Sequence, residues 1–382
     1  MPRVVEINRV EPLQPLRSCW QSLLQRTPGG SFFQSLDWLE VYWRHFGAPQ
    51  KLRVLVVLEE ETPTGIVPLT VICERTRVGG VRVLTYPLHD WASFYGPIGP
   101  DPETVLSAAM RHVGASERDW EMLDLRFTNR ALDRGATPRA MRAAGFRARE
   151  GLWATTQVVQ FEGCWEDYFA ARSGKFRNNL RRAERRAAQL GELAFERYRP
   201  RGEAWKDADP RWDLYQECVQ LAERSWQGSS RDGTTLSHGS VRDFFRDVHA
   251  AAARCGALDL NVLRLRGRVI AFAYNHCSAG AVTGLRTGFA PELAGISPGT
   301  LLLAHSIRDS FARGDKMLDL GTNPAAYKRH WRTHTLASYR YTHYAAGSPR
   351  GQLLRLKHCL WPRGAEGIAA LAAEAEQRAG GR

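Results

Sequence analysis

Apolar and polar positions along this chain switch repeatedly between the two-residue repeat of a strand and the spacing of a helix. The segment "WATTQVVQF" alternates as a strand does, and helical spacing then runs over 165–190. Further on, "LDLNVLRL", "VIAFAYNHC" and "AVTGLRTGF" predict three strands, and the Arg266-Gly267-Arg268 link between the first two is typical of a hairpin. The remaining pattern predicts a strand at 193–198, helices at 212–226, at 241–254 and after Gly295, a loop at 227–240, strands "KMLDLG" and "ASYRYTHYA", and a short helix near Tyr327.

The first half of the chain repeats this plan. It predicts helices at 13–25 and 36–46, strands "LRVLVVLE", "GIVPLTVIC" and 81–86, a helix at 103–113, a strand "EMLDLRF", a helix at 132–144 and an edge near Phe146. Two similar halves predict an α/β fold of two domains, residues 1–150 and 151–346, each a mixed twisted sheet flanked by helices. Residues 347–382, basic and then Ala/Glu-rich, predict a surface helix with a frayed end.

The amino-acid composition indicates which kinds of molecule the protein attracts, and it says less about the reaction. The formal net charge of +13 predicts attraction to anions such as nucleotides, nucleic acid or acidic lipid headgroups. The seven cysteines form no C-x-x-C pair, which favours a reducing compartment and no metal site. No apolar run approaches the roughly 18 residues of a membrane span, and the charged N-terminus lacks the apolar stretch of a signal peptide, so we expect no transmembrane segment and a cytoplasmic protein.

The stretch "GISPGTLLLAHSIRDSFARG" contains a candidate anion site. Pro298 and Gly299 stand directly before an apolar helical run, and Thr300 is able to cap the helix. Free amides at a helix N-terminus bind anions, so we expect this turn to be able to hold a pyrophosphate. The more ordinary interpretation is that Pro and Gly are common at the start of any helix.

Several segments, taken in order, resemble one known family. They are "RGRVIAF" on a strand, "TGFAPE" ending the next, "SPGTLLL" opening the helix, "DLG" on the following strand and "YKRHW" after it. This ordered set looks like the GNAT acyltransferases, and within them the CelD-like (cellulose biosynthesis acetyltransferase-type) subgroup, which "FFQSLDWL", "GIVPL" and "HDW" in the first half also resemble. The resemblance covers about 32–344 and implies tandem GNAT-like domains with a groove between them.

The resemblance also implies where acyl-CoA, acetyl-CoA above all, would bind as co-substrate. The helix after the central strand receives the pyrophosphate, a role that falls on Ser297, Pro298, Gly299 and Thr300. Backbone amides of a splayed strand around Thr287 polarise the thioester carbonyl. The usual GNAT phosphate loop has an Arg or Gln followed by spaced glycines, whereas this turn contains Gly299 alone.

Two further segments supply candidate proton-transfer groups. In "LDLGTNPAAYKRHWRTH" the resemblance gives Tyr327 the role of protonating the leaving thiolate, with Lys328 and Arg329 neutralising charge or holding the pyrophosphate. In "PLHDWASFYGP" His89 and Asp90 form a candidate acid/base pair that takes the proton of the acceptor. The alternatives are a packed tyrosine, solvated basic residues and an exposed His-Asp pair.

The segment "ARSGKFRNNLRRAERRAAQLG" carries seven basic residues and one acid between Arg172 and Arg186. Helical spacing places Arg177, Arg181 and Arg185 on one stripe, and we take Lys175, Arg177 and Arg181 as candidates for binding an anionic substrate or carrier. A similar basic helix occurs in the Fem-type aminoacyl transferases, so tRNA is an alternative partner. A solvated basic helix face is the other interpretation.

Together these observations predict an acyltransferase. It would move an acyl group from acyl-CoA to an amine or hydroxyl of a sugar, a polysaccharide precursor or a similar small acceptor. One alternative is a Fem-like enzyme that uses aminoacyl-tRNA, and another is a non-catalytic GNAT-fold module that binds an anionic partner. Hydrolase and NTPase motifs such as G-x-S-x-G, a Walker loop or H-E-x-x-H do not occur in the sequence.

Overall fold

The computed structural model describes residues 2–225, 235–322 and 325–360. Its contacts divide the chain into two compact units. Unit 1 contains the chain up to Thr156 and the described residues from Thr335 onward, and unit 2 is Gln157–His334. The first part of the predicted loop at 227–240 and the residues after 360 in the predicted tail lie outside the described residues.

Strands and helices alternate through the chain much as the sequence predicts. The elements up to the unit boundary are β1 Arg3–Ile7, α1 Arg17–Gln25, α2 Leu36–Phe46, β2 Lys51–Glu59, β3 Thr62–Thr76, β4 Gly79–Thr85, α3 Pro102–Ala115, β5 Met122–Asn129, α4 Arg130–Asp133, α5 Ala136–Ala143 and β6 Arg149–Gln160. Those that follow are α6 Trp165–Ala170, α7 Gly174–Leu190, β7 Leu193–Tyr198, α8 Trp212–Arg224, α9 Arg242–Arg254, β8 Leu258–Leu265, β9 Arg268–Ser278, β10 Ala281–Phe289, α10 Pro298–Arg313, β11 Met317–Asp319, α11 Lys328–Trp331, β12 His334–Tyr344 and α12 Pro349–Leu360.

The strands of unit 1 follow the order β1-β2-β3-β4-β5-β12-β6. The β4–β5 pair is parallel and joins only Val83 to Met122 and Leu84 to Leu123, whereas the pairs β1–β2, β2–β3, β3–β4 and β5–β12 are antiparallel. One face of this sheet carries a core cluster from α1, α2 and β2 that includes Trp20, Leu39 and Val54. The first unit is therefore a mixed sheet covered by helices.

Unit 2 has the same arrangement in the order β6-β11-β10-β9-β8-β7. The β10–β11 pair is parallel over three residues, from Ala281–Met317 to Thr283–Asp319, and the other pairs are antiparallel. Two mixed α/β units, each with one short parallel pair, confirm the predicted fold class. The chain passes between the units within β6, close to the predicted boundary at 150, and β12, which the prediction assigns to the second domain, lies in unit 1 because it pairs with β5.

Several elements differ from the sequence prediction for local reasons. The predicted helix at 132–144 breaks into α4 and α5 because Arg134 (φ +48°) and Gly135 (φ +79°) adopt left-handed backbone. The predicted helix at 165–190 is interrupted before α7, where the Ser173 hydroxyl accepts from the Phe176 amide at 3.3 Å as an N-cap. The predicted strand edge near Phe146 begins three residues later, as β6 at Arg149, and Phe146 itself lies before the strand with its ring packed against Trp120.

Both ends of the described chain also differ in detail from the prediction. Strand β1 was not predicted, because its five residues mix charged and apolar positions. The predicted helix at 13–25 is regular only from Arg17, since residues Glu11–Leu16 form a 3-10 turn that contains two prolines. Within the described residues, no helix combines the length and the apolarity that crossing a membrane requires.

Candidate active site

A gap between two parallel strands is the main feature of unit 2. After Thr283 pairs with Asp319, β10 and β11 separate, and the pairing register of β10 with β9 shifts between Gly284 and Arg286. This shift is a β-bulge at Leu285, which bends a strand and redirects its backbone groups. Beyond the bulge, β10 is paired on its β9 side, where Thr287 lies opposite Ala273, and its other edge no longer has β11 beside it. The exposed Thr287 thus lies on an open strand edge.

Helix α10 begins after the strand that borders this gap. Its N-cap is Ser297, which has left-handed backbone (φ +53°) and makes no side-chain capping bond, and Pro298 occupies the first helical position. The predicted capping by Thr300 is wrong, because Thr300 already lies inside the first turn. Its amide donates to the Ser297 carbonyl at 3.0 Å, as does the Leu301 amide at 3.1 Å. Pro298 has no amide hydrogen, and the Thr300 and Leu301 amides are bonded to Ser297. Among the described residues, the first-turn amide that remains available to an anion is therefore that of Gly299.

Gly299 leaves room at this turn. A Cβ added to Gly299 would lie 3.6 Å from the Phe289 ring, an ordinary contact distance. The turn therefore presents a backbone amide without a covering side chain, as anion sites at helix starts do. The helix itself is fixed by Arg197, which is 2% exposed and donates to Asp259 (2.8 Å), to Asp309 (3.0 Å) and to the Ser310 hydroxyl (2.8 Å). Because Asp309 and Ser310 belong to α10, this buried ion network ties the helix to β7 and β8.

The basic helix α7 lies beside this turn. Its apolar side buries Phe176, Leu180, Ala183 and Ala187, and the Arg186 guanidinium donates to the Gly295 carbonyl at 3.2 Å. The turn lacks the Arg or Gln lead of the usual phosphate loop, and α7 brings a guanidinium to it from another part of the chain. The sequence contains Arg186 within the basic run, but this contact depends on the fold and has no local signal.

The three α7 candidates have different surroundings. Lys175 and Arg181 are exposed, and the Arg181 guanidinium lies 5.9 Å from the Phe169 ring centroid. Arg177 is half-buried, and its Nε has no hydrogen-bond partner among the described residues. The predicted stripe exists on a single helix, but Arg177 is more enclosed than a solvated surface residue.

Helix α11 holds two of the predicted site residues and is preceded by the third. Tyr327, at its N-cap, is 49% exposed. Partial burial raises the pKa of its phenol, which keeps its proton at neutral pH. Arg329 is exposed. Lys328 is buried, and its Nζ donates to the Gly321 carbonyl at 3.1 Å. One of its three N–H donors thus fixes the chain after β11, and its contact with a pyrophosphate stays a prediction.

Arg286, next to the bulge, is a residue that the sequence analysis missed. Its Nη1 donates to the Leu285 carbonyl at 2.8 Å, and its guanidinium lies 5.0 Å from the Phe245 ring centroid. Burial lowers its pKa to about 10. A half-buried cation on the strand that borders the gap is suited to a developing negative charge. One arginine in a strand gives no sequence signal of such a position.

Most of unit 2 is similar to a known protein family. Residues 174–329 match the family model described as "Acetyltransferase (GNAT) domain". We call residues 174–329 the GNAT-like segment, because they are similar to that domain. No curated protein sequence matches the chain.

Solved structures share the fold over most of the chain. A crystal structure of FemX has a TM-score of 0.60 at 11% identity and covers 92% of this chain and 99% of that one. The C-terminal domain of an Agrobacterium fabrum protein provisionally named as a lysylphosphatidylglycerol synthetase has a TM-score of 0.52 at 14% identity, with coverages of 91% and 95%. At such identities the likeness shows the fold alone.

The two predicted acid/base residues lie outside the GNAT-like segment, in unit 1. His89 (φ +52°) and Asp90 are both exposed, and within the described residues no hydrogen bond or ion pair joins them. The His89 ring lies 6.5 Å from the Tyr42 ring. The proximity in sequence that suggested an acid/base pair therefore does not produce a bonded pair here.

No group of His, Cys, Asp or Glu side chains in the described part of the chain could hold a metal ion.

Proposed function

We propose that this chain transfers an acyl group, with acetyl as the first candidate, from acyl-CoA to an amine or hydroxyl of a sugar, a polysaccharide precursor or a similar small acceptor. The observation that carries the proposal is the open edge of β10 beyond its bulge, followed directly by a helix whose first turn presents the Gly299 amide. The match of residues 174–329 to a GNAT domain supports it. The spacing of the cysteines favours a reducing compartment, and we place the reaction in the cytoplasm on that ground.

In this proposal each part of the binding site has one role. Bound acyl-CoA supplies an activated thioester. The Gly299 amide donates to a pyrophosphate oxygen, with Ser297, Pro298 and Thr300 forming the turn around it and the Arg186 guanidinium adding a positive charge. Strand amides around Thr287 donate hydrogen bonds to the thioester carbonyl. These bonds stabilise the negative charge that develops on the carbonyl oxygen in the transition state.

Proton transfer uses groups on separate elements. Tyr327 keeps a proton at neutral pH and donates it to the leaving thiolate, while Arg329 at the start of α11 adds positive charge. The acceptor loses its proton to His89 or Asp90. No nucleophile from the protein is required, because the acceptor attacks the thioester directly.

Binding of acetyl-CoA to the full-length protein tests the cofactor half of the proposal. Calorimetry should give a measurable Kd, and Gly299→Glu should weaken it at least tenfold, since the new carboxylate would stand at the anion site. The matched control is Gly347→Glu, in unit 1, where an added Cβ meets nothing within 4 Å. Equal affinities for wild type and Gly299→Glu would remove the turn from the binding site, and no heat with any acyl-CoA would refute the donor.

A second candidate function rests on the basic face of α7. Exposed Lys175 and Arg181, beside the half-buried Arg177, offer several cations to a polyanion, and the chain shares its fold with FemX. An aminoacyl transferase using charged tRNA would bind tRNA with an affinity that falls steeply with salt. Filter binding should then weaken in Lys175→Glu and Arg181→Glu but not in Arg224→Glu, an exposed arginine of α8. Equal affinity in all three variants would exclude α7 as a tRNA site.

A transfer assay separates these two enzymes from the third possibility. Turnover with acyl-CoA or with charged tRNA would exclude a purely binding module. Binding of an anion through α7 without turnover of either donor would favour it.

A further inference from the structure

Unit 2 contains a cavity between α8 and α9 that the proposed acyl transfer does not use. Its volume is about 500 Å³, within the range of small-molecule sites. Its lining residues recur along one side of each helix: Trp212, Tyr215, Val219 and Glu223 on α8, and Arg242 and Arg246 on α9. The cavity lies on the two helices rather than at the turn before α10.

The inner wall of the cavity is aromatic and contains a buried hydroxyl without a partner. Tyr215 is only 5% exposed, and its hydroxyl has no hydrogen-bond partner among the described residues. The Trp212 ring stands nearly perpendicular to it at 5.6 Å and remains 42% exposed. Burying a hydroxyl group costs free energy unless it forms a hydrogen bond. The wall therefore offers an aromatic surface and a hydroxyl that lacks a hydrogen-bond partner among the described residues.

Opposite charges line the two sides of the same cavity. Glu223 on α8 and Arg246 on α9 are exposed, and neither forms an ion pair with another residue in the ranges that the structure describes. Arg242, in contrast, is 3.8 Å from its neighbour Asp243. Burial raises the pKa of the Tyr215 hydroxyl, and the positive charge of Arg246 acts against this rise. The Arg246 guanidinium therefore lies within electrostatic range of the hydroxyl.

We propose that this cavity binds a small zwitterion with an aromatic side chain, that is, a free aromatic α-amino acid. The carboxylate pairs with Arg246 and accepts from the Tyr215 hydroxyl. The ammonium group pairs with Glu223, and the ring packs on Trp212 and Val219. A zwitterion satisfies both charges together, whereas an anion or a cation alone would leave one of them without a partner. The inference does not depend on acyl transfer.

Calorimetry on the full-length protein with L-phenylalanine as the probe tests this site. We expect binding that weakens roughly tenfold or more in Arg246→Gln and in Glu223→Gln. Tyr215→Phe should weaken it less, because the ring stays in place. Arg224→Gln removes an arginine of α8 that does not line the cavity and should bind as wild type does. Circular dichroism of each variant checks that its fold is retained.

Two analogues with one charge each make the outcome decisive. 3-Phenylpropionate lacks the ammonium group and 2-phenylethylamine lacks the carboxylate, and both should bind at least tenfold more weakly than phenylalanine. If either analogue bound as tightly as phenylalanine, the proposal that the cavity recognises both charges of a zwitterion would be wrong. No heat with phenylalanine up to its solubility limit, or equal binding by folded wild type, Arg246→Gln and Glu223→Gln, would overturn the site.

Discussion

At the scale of single residues, Asp124 is the clearest case of a buried charge that depends on its partners. It is fully buried and accepts from Arg126 (2.5 Å), from Arg340 and from the Thr342 hydroxyl (2.9 Å). Burial alone would raise the pKa of Asp124, but Arg340 and Arg126 outweigh burial and hold it below its ordinary value. The carboxylate is therefore ionised in the folded protein, and β5 and β12 are joined through it.

Replacing this carboxylate should destabilise unit 1. Asp124→Asn removes the buried negative charge that Arg126 and Arg340 share, although Arg126 keeps its ion pair with Glu74. The variant should lower the free energy of unfolding by about 3–5 kcal/mol near pH 7, measured by urea titration. The depressed pKa stabilises the wild type above the unfolded value of about 3.9, and this contribution is lost as pH falls through the lower folded value. The difference between wild type and variant should thus shrink below about pH 4.

A matched control comes from the surface of the same unit. Glu103 forms an ion pair with Arg139 at 2.7 Å, with both side chains about half exposed. Glu103→Gln should change the unfolding free energy little, because solvent screens an exposed pair. A loss in Asp124→Asn no larger than the loss in Glu103→Gln would contradict the importance of the buried pair.

Gly288 is required by a close approach between β9 and β10. A Cβ at this position would lie 2.4 Å from Cε1 of the fully buried Phe272 ring. Gly288→Ala should destabilise unit 2 by about 1–3 kcal/mol in urea unfolding, because the packed ring has little room to move. Gly295→Ala, whose Cβ meets nothing within 4 Å, is the comparison, and equal stability of the two variants would show that the ring yields easily.

At the scale of elements, the gap between parallel strands occurs in both units, but the chain uses it differently. In unit 1, β4 and β5 pair at only two positions and then separate. The segment after β4 returns to this region, where the Tyr95 amide donates to the Phe127 carbonyl at 3.0 Å and Ile98 pairs with Ile66. The Phe127 carbonyl of β5 is therefore already bonded within unit 1.

This difference predicts one acyl-CoA site per chain. Titration calorimetry of the full-length protein with acetyl-CoA should give a stoichiometry near one, as expected if the GNAT-like segment alone binds the donor. The Gly299→Glu variant should lose this single site. A stoichiometry near two, or a second site remaining in the variant, would show that the segment after β4 leaves unit 1 able to bind.

The sequence predicts elements well where their pattern is local. Helix α2 and strand β7 begin and end at the predicted residues, because the apolar spacing of each is complete within the element. The helix breaks at Arg134 and before Ser173 were missed, because a left-handed arginine or a capping serine within a helical pattern looks the same in sequence as a continuous helix.

The candidate site was only partly predictable for a related reason. The turn around Gly299 has a sequence signal, and the structure places it at the start of a helix. The burial of Lys328, the bonded amide of Thr300 and the approach of Arg186 to Gly295 depend on contacts between elements. The sequence does not show whether a given Lys or Arg is buried or exposed, because burial depends on contacts that only the folded chain makes.

At the scale of the whole molecule, unit 1 is made of two separate stretches of chain. Its β5 has β12 as its antiparallel partner, paired from Ser338 to Tyr344, and β12 also brings Arg340 and Thr342 to Asp124. A chain that ends after His334 lacks all of these residues. It would expose the edge of β5 and leave Asp124 buried with a single arginine.

We expect this shortened chain to fail to fold in unit 1. Exposed strand edges promote aggregation, so size-exclusion chromatography should show aggregates, and near-ultraviolet circular dichroism should lose part of the aromatic signal of the full-length chain. A monomeric shortened chain with the full signal would show that β12 is dispensable.

Because residues 157–334 stand between the two parts of unit 1, the order of synthesis on the ribosome is not the order in which the units can be completed. The nascent chain has every strand of unit 2 before it has β12. The first unit to be started is thus the second to be finished, and β5 remains unpaired on this edge while residues 130–333 are synthesised. Translation speed through unit 2 therefore sets how long that strand edge remains open to chaperones or to other nascent chains.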